Sequence, residues 1–208
     1  MAEDLKYTNA ALYVLILACE EVMGKNGFAS VLNQGGLDYM VGKYPPNNLD
    51  YNVPFSLYGR VQQAIEDFYG PRGSRAILMR VGRALFRYSL HEQSSLLGLA
   101  SVALKALPMN ARSKLILGKI VDAGTTVLNM PQEMTETDDS FVITRTACPC
   151  QFRERDSSQG VCDHVTIGTF QEALKWASGK SFKVYQTKCL NTGDGVDEFV
   201  VDKTPTDE

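Results

Sequence analysis

Four cysteines fall in one late stretch of the chain, as Cys148-Pro149-Cys150, then Cys162-Asp163-His164, then Cys189. Sulfur donors and an imidazole, if they converge, are the ligand set of a soft centre, because Zn²⁺ and iron–sulfur clusters are both held by thiolates. Neither half is a C-x-x-C pair, so the spacing alone is weakly specific. The competing reading is that these are small buried apolar residues, as Cys19 reads. The proline, charges and glycine between Cys148 and Cys162, and Lys188 beside Cys189, weigh against a plain core role. A turn at Gly193-Asp194 sets Cys189 nearly opposite Asp197, which brings a carboxylate toward the sulfurs.

Other candidate chemistries are weaker. Arg80, Arg83 and Arg87 share a helical face, with Arg72 and Arg75 near its start after Gly70-Pro71-Arg72-Gly73. A helix N-terminus there could hold an anion, but the stripe reads as a solvated basic face on an acidic protein. Ser94, Ser95 and His91 lack a Gly-x-Ser-x-Gly elbow, and the chain has only two histidines, so nucleophilic catalysis is set aside. Asp194-Gly195-Val196-Asp197 lacks the spaced oxygen ligands of a calcium loop and reads as a turn. No G-x-G-x-x-G fingerprint for a nicotinamide cofactor occurs. Phe86, Leu97, Leu117, Ile120, Phe141 and Trp176 are candidates to line a ligand pocket, although the same types fill any ordinary core.

The elements that must position these residues divide the chain in two. At 208 residues, 44% hydrophobic and 22% charged, the expectation is one elaborated domain over 1–208 with a sizeable core. Residues 1–128 read as mainly helical. Thr8 or Asn9 opens a helix that ends near Gly24-Lys25-Asn26-Gly27, and Tyr44-Pro45-Pro46 is a surface loop. Helices then start at Ser56 and after Gly73, and cover Glu92 to Leu107 and Asn110 to Leu128. Residues 129–203 read as a sheet with one helix. A hairpin connection spans Thr135 to Ser140 and a strand Phe141 to Thr146. Thr166 to Ser178 is an amphipathic helix closed by Gly179, and Phe182 to Leu190 and Val196 to Val201 are paired strands. Residues 204–208 are a frayed tail. The fold class is therefore α+β, with N-terminal helices packed on a C-terminal antiparallel sheet and an apolar cavity between the layers.

Twenty-one Lys and Arg against 24 Asp and Glu give a net charge of −3, which argues against nucleic acid as a partner. The apolar run Ala10 to Cys19 is halted by Glu20 and Glu21, short of a membrane span, and the acidic start lacks a secretory n-region. The expectation is a cytoplasmic protein.

The string Val161-Cys162, Ile167-Gly168, Glu172 through Gly179 with Trp176, Val184, Cys189, Gly193-Asp194 and Phe199 resembles the 4-vinyl reductase domain family of hydrocarbon-binding domains. The match is good over the last third and looser over Tyr69-Gly70 and Gly82 to Phe86. The resemblance implies a fold like that of palmitate-binding subunits of vesicle-tethering complexes, and kinship with phenol-sensor domains that hold a structural zinc. Cys162 and Cys189 match two of the family's zinc ligands, Gln186 stands at the position of a Glu and Asp197 at that of a final Cys. Cys148 and Cys150 then supply the missing thiolates, giving Cys150, Cys162 and Cys189 with Cys148 fourth, and His164 or Asp197 in reserve. The function implied is a non-enzymatic sensor for a hydrophobic or aromatic small molecule with a structural zinc site, acting as a homodimer through a separate signalling or assembly protein. The alternatives are a role in tetrapyrrole vinyl reduction, or an iron–sulfur redox protein.

Overall fold

The computed structural model describes residues 3–93 and 107–206. Within them the helices are α1 (Asn9–Met23), α2 (Lys25–Gln34), α3 (Phe55–Gln93), α4 (Met109–Thr126) and α5 (His164–Ser178). A short antiparallel pair, β1 (Lys6–Tyr7) and β2 (Val53–Pro54), ties the start of the chain to the start of α3. The main sheet comprises β3 (Gln132–Glu136), β4 (Ser140–Arg145), β5 (Phe182–Lys188) and β6 (Asp197–Pro205). Its order is β3-β4-β6-β5 and every neighbouring pair is antiparallel. The architecture is α+β, helices packed against a four-stranded antiparallel sheet.

Several boundaries differ from the sequence reading for local reasons. Gly24, at φ 74°, lets α2 start one residue after α1 ends, where a loop was expected. Gly70 takes φ 74° and ψ 161°, so α3 is two helices meeting at a kink, with Pro71 opening the second. α5 starts at His164 because Asp163 caps it, its carboxylate accepting from Thr166 N at 3.1 Å. β6 runs on to Pro205, and Thr206 N donates to Ser181 O at 2.9 Å, so this end is paired. The helix expected over Glu92 to Leu107 falls mostly on 94–106, outside the described residues.

Strand alternation sorts the sheet into an outward and an inward face. Phe141 and Ile143 of β4, Phe182 and Val184 of β5, and Phe199 and Val201 of β6 point inward and are buried against Phe86, Ile116, Leu117, Phe170 and Leu174. Each such side chain contributes roughly 1.5–3 kcal/mol through apolar burial. Continued by one more inward position at the same end of the sheet, these rows finish on Arg145, Gln186 and Asp197, all buried and all polar. Arg145 and Asp197 are register partners. A second core joins α1, α2 and α3 through Leu15, Phe28, Val31, Phe55, Ile65 and Leu78.

The helix that carries the site is held by a close backbone approach. A Cβ on Gly82 of α3 would lie 2.0 Å from Val165 O, and one on Gly168 of α5 2.0 Å from Met79 O. Glycine at both positions lets α3 and α5 touch main chain to main chain. The α5 N-terminus is thereby fixed over the polar end of the sheet.

Candidate ligand site

Two polar arrangements meet where α5 begins. The first is a sulfur corner. Cys148 caps a short 3₁₀ turn, Pro149–Phe152, its sulfur accepting from Cys150 N at 3.2 Å while its own N–H donates to Gln151 Oε1 at 3.1 Å. Cys162 immediately precedes the α5 cap, and Cys189 follows β5. Cys162 Sγ and Cys189 Sγ are 3.4 Å apart, and Cys150 Sγ lies within 4.8 Å of both. Cys150 donates to Asp197 Oδ2 at 3.5 Å and Cys148 to Asp163 Oδ2 at 3.6 Å. Asp197 lies next to the Lys188–Glu198 register pair, so it stands nearly opposite Cys189 as expected, and its carboxylate reaches Cys148 and Cys150. Burial pushes the Cys148 thiol up to about 12 and raises Cys150 as well, so both are protonated donors to the carboxylates. Hydrogen bonding within the sulfur cluster lowers the Cys189 thiol from its ordinary value.

Arg145 joins this corner to the second arrangement. Its Nη2 donates to Asp163 at 2.5 Å and reaches Asp197 at 3.5 Å, Nη1 donates to Thr166 Oγ1 at 3.2 Å, and the guanidinium lies 4.5 Å from the Phe199 ring centre. Burial alone would raise Asp163, but the Arg145 charge and the Thr166 hydrogen bonds hold it below the usual carboxylate range. Asp197 is raised, because burial outweighs the same arginine. Asp197 still accepts from Leu190 N at 2.8 Å and Gln186 Nε2 at 3.1 Å. Gln186, the residue standing where a glutamate was expected, therefore acts as a neutral donor. The sulfur corner closes on hydrogen bonds of its own.

The second arrangement is a cavity of about 100 Å³ between α3, α4 and α5 and the sheet end. Leu85, Ile120, Leu128, Val165 and Phe170 form its apolar part. Tyr7, Tyr58, Gln62, Gln132, Arg145 and Asp163 form its polar part. Burial pushes both phenols up, so they are uncharged. Tyr7 Oη donates to Met130 Sδ at 3.3 Å. Gln62 Oε1, Gln132 Nε2 and Arg145 Nε are buried without a hydrogen-bond partner.

Of the residues singled out as pocket lining, Ile120 faces this cavity. Phe86, Leu117 and Phe141 pack in the sheet-side core, Trp176 is 42% exposed, and Leu97 is outside the described residues. The four cysteines are brought to one corner; Cys148 also touches the cavity. His164 is buried at the start of α5, its Nε2 unpartnered, and burial lowers it to about 4. Sequence reasoning missed the polar wall. The available signal was a polar residue inside an otherwise apolar helix face, Gln62 between Tyr58, Val61 and Ile65, and a charged residue at an inward strand position, Arg145 after Phe141 and Ile143. The basic stripe is partly spent on ion pairs, Arg87 bridging Glu21 at 2.6 Å and Glu172 at 3.1 Å.

This chain has the fold of H-NOX domains. It is similar to the Fe(II) unliganded H-NOX protein from K. algicida, with a TM-score of 0.59, 12% identity and coverage of 96% of this chain and 97% of that one. It is likewise similar to a doubly substituted Tt H-NOX variant, at TM-score 0.57 and 13% identity over 97% of both chains. An oxygen-binding H-NOX domain related to soluble guanylate cyclases matches at TM-score 0.50 and 13% identity over 94% of both chains. No protein-family model matches the sequence, and neither does any curated protein.

These likenesses correct four expectations. The 4-vinyl reductase resemblance is overturned: the similar structures are H-NOX domains, and the Trp-x-x-Gly and Cys residues that suggested the other family are a helix end and a hydrogen-bonded corner on this fold. Zinc and the iron–sulfur alternative fall with it, since the similar structures are described by Fe(II), haem redox potential and porphyrin distortion. The structural cysteine-ligated metal site at Cys148, Cys150, Cys162 and Cys189, and the sensor function built on it, lose their support for the same reason. So do the roles in tetrapyrrole vinyl reduction and iron–sulfur redox chemistry. Among the described residues no helix is long and apolar enough to cross a membrane.

Haem does not fit the site as it stands. A cavity of about 100 Å³ is smaller than the roughly 150 Å³ that admits benzene, and a porphyrin is many times larger. Neither histidine lines it: the His91 side chain is 83% exposed, and His164 is buried at the start of α5 outside the cavity lining. Of the other ligand types in its lining, Tyr7 donates to Met130 Sδ, which Arg145 also engages, Cys148 donates to Asp163, and burial keeps the Tyr58 phenol protonated.

Proposed function

We propose that this chain is a small-molecule-binding domain that uses the cavity between α3, α4, α5 and the sheet end, and does so without haem. The observation that carries the reading is the cavity itself, which sets an apolar side of Leu85, Ile120, Leu128, Val165 and Phe170 against a polar side of Tyr7, Tyr58, Gln62, Gln132, Arg145 and Asp163. The ligand site lies against the α5 cap and the Arg145 network, so an occupant contacts the helix that α3 grips through Gly82 and Gly168. The H-NOX fold supports a ligand-binding role by likeness of fold alone.

The test has two arms. Haemin added to the purified chain is expected to leave the spectrum of free haemin, and a stoichiometric Soret band would overturn the haem-free reading. Xenon under pressure is expected to perturb the signals of Ile120, Leu128 and Val165. Unperturbed methyl signals there would overturn the cavity reading.

A further inference from the structure

Cys162 Sγ and Cys189 Sγ lie 3.4 Å apart, although the two residues are 27 positions apart in the chain. The other two thiols of the corner are turned to carboxylates, Cys148 donating to Asp163 and Cys150 to Asp197. Cys162 and Cys189 face each other. Both sit at element boundaries, Cys162 just before the Asp163 cap of α5 and Cys189 between the end of β5 and a short 3₁₀ turn, Leu190–Thr192. Neither belongs to a helix or strand, so each sulfur can shift without breaking a regular backbone ladder. A sulfur–sulfur bond is about 2.05 Å long, and the two atoms need to close by roughly 1.4 Å to form one. Both sulfurs are buried, with the partly buried side chains of Val161 and Leu190 packed on them. Gly160, Lys188 and Gly193 on the flanking chain are exposed, so a local opening of these loops admits a small neutral oxidant.

We infer that Cys162 and Cys189 are a redox modification site: a reversible disulfide between them fastens the entrance of α5 to the end of β5. The oxidant is a hydroperoxide, of which hydrogen peroxide is the simplest. One cysteine, as its thiolate, attacks a peroxide oxygen, the O–O bond breaks, and a sulfenic acid and one water form. The second thiolate attacks that sulfur, the S–O bond breaks, and the oxygen leaves as a second water. Two thiols and one hydrogen peroxide thus give one disulfide and two waters, with two electrons passing from the sulfurs to the peroxide oxygens. A dithiol reductant reverses the bond by exchange. Cys150, within 4.8 Å of both sulfurs, is the competing partner. The bond acts on the helix whose Val165 and Thr166 line the cavity, but the pairing does not depend on what the cavity holds.

The experiment treats the folded full chain with hydrogen peroxide, blocks remaining thiols with a maleimide, digests with trypsin in the absence of reductant and reads the peptides by mass spectrometry. The sequence makes the pairing legible, because Cys162 falls in peptide 156–175 and Cys189 in 189–203, whereas Cys148 and Cys150 share 146–153. The expected product is 156–175 joined to 189–203, about 2 Da lighter than the two free-thiol peptides together, with Cys19, Cys148 and Cys150 carrying the maleimide. Dithiothreitol before blocking is expected to return all five thiols. Cys150→Ala is expected to keep the bridge, and unfolding in urea before the peroxide is expected to abolish the preference for this pair. A main product bridged through 146–153 would overturn the inference. So would five blocked thiols after peroxide, or the same pairing pattern from folded and unfolded chain.

Discussion

The sulfur corner and the cavity wall lie side by side, share Arg145, and treat their polar atoms in opposite ways. In the corner Asp163 and Asp197 are surrounded by Arg145, Thr166, Gln186, Leu190 N and two thiols, so the buried charges are paired and hydrogen-bonded. In the wall Gln62 Oε1, Gln132 Nε2 and the Nε of the same arginine are buried without a hydrogen-bond partner. Residue type is therefore a poor guide to which region binds a ligand. The cysteines offer the more familiar chemistry, whereas the glutamines offer the unmet demand.

Removing the shared residue should do most damage. Arg145→Met leaves Asp163 and Asp197 buried without their cation, and a loss of about 3–5 kcal/mol in chemical denaturation is expected. A loss below about 1 kcal/mol would show that the corner is not organised by this charge.

Acid should weaken the start of α5 next. His164 binds a proton near pH 4 when folded and near its ordinary 6.5 when unfolded. The unfolded chain thus holds more protons between these values. Stability is full above pH 6.5 and falls as pH drops toward 4, by up to about 3 kcal/mol. A His164→Leu variant is expected to flatten this slope in denaturation curves taken across the window. An unaltered slope in that variant would assign the dependence to another group.

Smaller effects separate the two regions more finely. Cys162→Ala removes a buried sulfur and its contact with Cys189, with an expected cost of about 1 kcal/mol and no change in xenon binding at the cavity. Gln62→Met removes an acceptor that nothing satisfies, so stability without ligand should stay level or rise by about 0.5–1 kcal/mol. That sign, opposite to the cysteine variant, is what the comparison requires; a clear destabilisation would mean Gln62 is already partnered.

The layers of the fold were legible because periodicity is local. Phe170, Ala173 and Leu174 mark α5, and Phe141 and Ile143 mark β4, before any tertiary contact is known. The α1–α2 junction was not, since it depends on Gly24 taking φ 74°, a backbone choice that composition does not reveal. The cysteine corner was visible as a cluster of one residue type. The cavity wall was not, because Gln62, Gln132 and Arg145 are 70 residues apart at one step and 13 at the next, and only packing brings them together. Trp176 shows the converse: its size suggested a pocket, but its place on α5 turns it toward solvent.

The most direct measurement is a high-resolution crystal structure of the chain under xenon pressure. The account predicts xenon in the cavity beside Ile120, Leu128 and Val165. A cavity that stays free of xenon would contradict it.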